Sequence, residues 1–138
     1  MGLGMAISVA PLTTTVMGAV SAERSGVASG INNTVARTAG LLAIAVFGVV
    51  MLKTFGTNLD RRLAAVQISN EARESIISQR VRLAAIEYPA NLDDRLRVEV
   101  EAAVADSFIS GFRLVVIISA MLGLMSAVSS WLLIGRKR

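Results

Sequence analysis

Hydrophobic and polar positions along this chain fall in long blocks. Residues 2–20 and 114–135 are apolar and charge-free, and a third apolar run, 38–52, follows Arg37. Each end run has the ~20 residues that a helix rising ~1.5 Å per residue needs to cross a hydrocarbon core of ~30 Å. The middle run reaches that length once it is extended back through 26–35, with Arg37 as its one charge. The pattern predicts an all-α integral membrane protein: spans at 1–20, 26–53 and 109–135, a short turn at 21–25, an amphipathic helical extramembrane loop at 54–108 and a basic tail at 136–138.

Within the first run, Pro11 lacks the amide proton of its helical turn, which predicts a kink. Ser8 and Thr15 share a helical face with Met5 and Leu12, so one side of this span is mildly polar. In the second run Gly26, Gly30, Asn33, Arg37 and Gly40 recur at spacings of four and three, a stripe of small and polar groups against which another helix can pack closely. A charge at mid-bilayer costs at least ~2.5 kcal/mol, so Arg37 is expected near an aqueous end or against protein. Lys53 marks the other end of the span.

The interval 54–108 holds seven arginines and nine acids. Leu59, Leu63 and Val66 form one short stripe. Ala72, Ile76, Arg80 and Ala84 form a second after a cap at Ser69 or Asn70, and Pro89 is expected to end that helix. Asn91, Asp93 and Asp94 read as a new helix start, with acids where the helix dipole favours them. From there Leu92, Leu96, Val100, Val104 and Phe108 recur every fourth residue, so the last helix is expected to begin outside the bilayer and run in. Ala120, Gly123, Ala127 and Ser130 give it a small-residue face, and Trp131, Arg136, Lys137 and Arg138 anchor its end.

Composition sharpens this picture. Hydrophobic residues make up 54% of the 138 and charged residues 17%, too apolar for a domain with a mostly polar surface. Cysteine and histidine are both absent, which excludes disulfides, thiolate chemistry, the common zinc sites and imidazole catalysis. The formal charge is +4, yet the arginines are dispersed and lack interleaved aromatics, so nucleic acid is not an expected partner. Without a nucleophile–base pair, metal cluster or phosphate loop, neither an enzyme nor a metal or cofactor is expected. The spans contain no aspartate or glutamate, so a proton-relay carboxylate is not expected on this chain; Glu23 reads as a solvated partner of Arg24. A span starting at the first residue, with no basic leader, points to a piece of something longer. The terminal basic cluster places the C-terminus and the 21–25 turn in the cytoplasm and 54–108 outside.

The stretch 2–48 resembles the late-span region of major facilitator superfamily transporters, closest to the fourteen-span drug:proton antiporter branch. The resemblance is carried by Gly2 and Gly4, Pro11 with Leu12 and Thr13, the RSGVASG turn from Arg24 to Gly30, Asn32 and Asn33, Arg37 and Gly40. Phe108, Gly111, Phe112 and Arg113 lead into the last span in a similar way. It implies that the chain corresponds to the last three spans of a plasma-membrane exporter of small, often amphipathic compounds driven by proton entry. About eleven earlier spans, and with them one of the two halves that enclose the substrate, lie outside it. The chain alone is then not expected to transport, and its partners are the lipid bilayer, the remaining spans and, in the intact protein, a small-molecule substrate. By the same resemblance Met5, Ser8, Leu12 and Thr15 are substrate-cavity candidates, the alternative being hydroxyls that satisfy the backbone around Pro11. Gly26, Gly30, Asn33, Arg37 and Gly40 are gating or packing candidates. The competing expectation is an autonomous small membrane protein with a structural or interaction role and no transport.

Overall fold

The computed structural model describes Val9, Thr13, Thr14, Thr15, Gly18 and residues 20–90 and 92–134, with side chains through Leu132. Every regular element among them is helical. Two long helices, α1 (Ser25–Ala65) and α3 (Asp94–Ile134), each of 41 residues, frame a short α2 (Asn70–Ser78) and a 3-10 stretch, Arg80–Ala85. At ~1.5 Å per residue each long helix extends about 60 Å, twice the thickness of a hydrocarbon core. Both are long and apolar enough to cross a membrane.

The chain divides into two compact units, 1–45 and 46–138. In the first, Val9, Thr13, Thr14, Thr15 and Gly18 are helical, and the Thr13 hydroxyl donates to the Val9 carbonyl one turn back (2.8 Å). Pro11, with its expected kink, lies outside the described residues. A 3-10 turn, Ala22–Arg24, precedes α1, closed by the Arg24 amide donating to the Ser21 carbonyl (2.9 Å). α1 then begins at Ser25, whose hydroxyl donates to the Ala22 carbonyl (2.8 Å).

The second unit holds the buried core. Phe55, Leu59 and Leu63 of α1 meet Val100, Ala103 and Val104 of α3, with Ile76 and Ile86 closing the cluster. These spacings of four are the 3.6-residue period turned inward, and each fully buried large side chain contributes about 1.5–3 kcal/mol. Ser107 is fully buried among them and tolerates it because its hydroxyl donates to the Ala103 carbonyl (2.6 Å). Ser69 caps α2 by accepting from the Ala72 amide (3.2 Å).

α2 ends at Ser78, eleven residues before Pro89, so proline is not its terminator. Ala72 and Ile76 are buried while Arg80 and Ala84 are exposed, which limits the apolar stripe to two turns. The cause is Gln79. Its amide nitrogen donates to the carbonyls of Ser75 (3.1 Å) and Glu87 (3.0 Å), and its amide oxygen accepts from the Glu87 amide (3.0 Å). The side chain thus substitutes for a neighbouring strand and folds 80–87 back on the helix end. Leu83 takes φ 55°, ψ −120° in the bend, a conformation unfavourable for a side chain with a Cβ, and packs against the core in return. Arg82 closes the bend by pairing with Glu87 (2.7 Å).

Candidate functional site

The stretch of α1 up to Ala45 carries the stripe singled out in the sequence. Gly26, Gly30, Asn33, Arg37 and Gly40 are all helical and exposed. A Cβ added at Gly26, Gly30 or Gly40 would meet nothing within 4 Å, so the backbone is open to a close neighbour at all three. Thr34 satisfies its hydroxyl within the helix by donating to the Gly30 carbonyl (2.9 Å). Asn33 and Arg37 do not: among the described residues neither side chain has a hydrogen-bond or ion-pair partner. Of the cavity candidates, Met5, Ser8 and Leu12 lie outside the described residues, and Thr15 is helical and exposed.

The second feature, where α1 meets α3, was not legible as a pair. A Cβ on Gly111 of α3 would stand 2.8 Å from the Met51 sulfur and 3.4 Å from the Met51 carbonyl oxygen of α1. A side chain at 111 would push the Met51 thioether aside and bear on the α1 backbone. The sequence holds a signal for it: Val104, Ser107 and Gly111 follow helical spacing along the buried face of α3. Farther along, Arg62 donates to Asp106 (2.8 Å) and Arg80 lies 3.8 Å from Asp60. The contacts 51 with 111 and 62 with 106 show the helices running antiparallel. Lys53 and Arg113 therefore lie within about one turn of the same level.

Phe108 and Phe112 stack one turn apart, with centroids 6.4 Å apart and planes 7° apart. The Tyr88 phenol, partly buried against the core, is held above its ordinary value by burial and then by the Glu101 carboxylate, with Arg97 pulling weakly the other way. Two open clefts flank the start of α3. One, of about 250 Å³, is lined by Ile68, Ser69, Ala72, Leu92 and Leu96; the other, about 480 Å³, includes Gln67, Asp93, Arg95 and Glu99. Neither joins a nucleophile to a base, and no group of three metal-ligating side chains occurs among the described residues.

No family model, curated protein or solved structure matches this chain.

Proposed function

We propose that this chain forms the last three spans of a major facilitator-type exporter of the fourteen-span drug:proton antiporter branch, acting as part of one wall of a central cavity in the plasma membrane. The observation that carries the reading is where burial falls. In the most apolar 18-residue window of α1 no residue is covered, and in that of α3 only 6% are, whereas the charged stretch between them builds a buried core. A water-soluble fold would do the reverse, covering its most apolar stretches. Lipid and other spans are the cover that such surfaces fit.

In this reading Lys53 and Arg113 stand at the outer water boundary, Thr15 belongs to the cavity-facing side of the first span, and the Gly26-to-Gly40 stripe packs against neighbouring spans. Residues 54–108 rise outside the bilayer as a compact cap. The resemblance of 2–48 and of 108–113 to late transporter spans supplies the activity: export of small amphipathic compounds against proton entry, with the proton-carrying carboxylate on other spans.

The test is to express the complete reading frame that contains this chain in a bacterial strain lacking its own efflux pumps and to follow accumulation of a lipophilic cationic dye. Accumulation should fall, and a proton ionophore should abolish the effect; residues 1–138 alone should leave it unchanged. A stop codon and ribosome-binding site just upstream of Met1, with dye levels equal to the empty vector, would replace the exporter with an autonomous three-span protein.

A further inference from the structure

We propose that residues 80–90 form a strained strap that lifts from the buried core while α1 and α3 stay packed on each other, a lid built into the fold. The inference concerns the unit 46–138 alone and holds whether or not the chain takes part in transport.

The strap is fastened differently from the rest of the core. Phe55, Leu59 and Leu63 meet Val100, Ala103 and Val104 along two continuous helices, whereas the strap contributes one buried side chain, Ile86. Leu83 and Tyr88 pack against the cluster only in part. The other holds are polar: the Gln79 amide on the Glu87 backbone, the Arg82–Glu87 pair at 2.7 Å and the approach of Arg80 to Asp60 at 3.8 Å. All three lie open to water, which competes for every one of these groups once the strap moves.

Against these holds stands Leu83. Its φ of 55° with ψ −120° lies outside the regions open to a residue with a Cβ, and it is the one non-glycine residue with positive φ among the described residues. Closure imposes that conformation and opening releases it. Because the strain sits on the strap and not on α1 or α3, it favours local opening over separation of the two long helices. The ends suit a hinge. Regular helix stops at Ser78 on one side, and on the other the Leu92 amide donates to the Pro89 carbonyl (3.3 Å) in the turn that leads to α3. Lifting between these points takes Ile86 out of the core and bares the flank of the cluster on which Leu83 and Tyr88 rest.

The sequence has no cysteine, so single introduced thiols read opening without background. In the full chain in detergent, with a water-soluble thiol reagent slow enough that closing outpaces labelling, the rate at a buried position reports its open population. Ile86→Cys should be labelled at least about thirtyfold faster than Val104→Cys, on buried α3, and at least about tenfold slower than Val81→Cys, at an exposed position of the strap. The strain is read in the Ile86→Cys background from two variants that both lose the leucine packing. Glycine ordinarily loosens a segment relative to alanine; at 83 the order should reverse, with Leu83→Gly labelled about tenfold more slowly than Leu83→Ala. Val104→Cys should keep its own rate within about twofold in both leucine variants.

Equal rates for Ile86→Cys and Val104→Cys would overturn independent opening, and a rate for Ile86→Cys matching that of Val81→Cys would show that no closed strap exists. Faster labelling with Leu83→Gly than with Leu83→Ala would remove the strain. If Val104→Cys accelerates as much as Ile86→Cys in the leucine variants, the whole core opens together and there is no lid.

Discussion

Leucine in place of Gly111 should open the buried core that α1 and α3 share. A Cβ at 111 meets the Met51 sulfur at 2.8 Å, its methyl at 3.4 Å and the Met51 carbonyl oxygen at 3.4 Å. The thioether can swing aside, but the carbonyl moves only with α1. For alanine, the overpacking cost of about 1–3 kcal/mol is partly offset by a helix-propensity gain near 1 kcal/mol. The net loss is about 2 kcal/mol or less. Leucine drives three further carbons into the same contact, so the helices must separate and loosen Phe55, Val104 and Ser107, all nearly or fully buried. We expect a loss of about 3 kcal/mol or more, which raises the open population roughly a hundredfold. Trypsin cleavage at Arg73, a partly buried residue of α2, reads that population in detergent when closing outpaces cutting. Gly111→Leu should be cut about a hundredfold faster than wild type, Gly111→Ala less than about thirtyfold, and Gly111→Ala with Met51→Ala more slowly than Gly111→Ala alone. Wild-type cleavage of Gly111→Leu would refute the close approach of the two helices.

Gln79→Ala removes three hydrogen bonds, two of which hold Glu87 against the end of α2, and should cost about 1–3 kcal/mol, seen as at least about tenfold faster hydrogen exchange at the Glu87 amide. Unchanged exchange there would mean that the Arg82–Glu87 pair suffices. Arg62→Ala removes a 2.8 Å ion pair whose side chains are 41% and 53% exposed, and should change stability by less than about 1 kcal/mol in the same trypsin assay. The Tyr88 phenol ionises less readily folded than unfolded, so its contribution to cap stability is intact below its ordinary value of 10.0 and declines as pH rises above it. Urea midpoints taken between about pH 9 and 11 should fall in the wild type and fall less in Tyr88→Phe; equal declines would assign the effect to other groups.

How far the fold could be read in advance varied by element, for identifiable reasons. The stripes Leu59 with Leu63 and Val100 with Val104 are visible as period-four repeats, and all four residues are buried. A cap at Ser69 or Asn70 was legible because the chemistry of an N-cap is local, and the structure selects Ser69, whose hydroxyl takes the amide three residues on. The end of α2 was not, because Gln79 acts on Glu87, eight residues away, and a glutamine carries no turn signal of its own. Pro89 is a stronger helix breaker, yet it is never reached. Among the site candidates, the Gly26-to-Gly40 stripe could be read from spacing alone, but only the structure shows that Thr34 is satisfied within its helix while Asn33 and Arg37 have no partner among the described residues.

By itself, the sequence determined the helical character, apolar stretches long enough to cross a bilayer, of which it offered three and two are long helices among the described residues, and the lone charge between Gly26 and Leu52, since each follows from composition summed over consecutive residues. Tertiary structure alone decided that Gly111 lies on Met51 and that Lys53 and Arg113 come within about one turn of the same level. Those are relations between segments some sixty residues apart, set by the shape of two surfaces in contact, and no local preference encodes them.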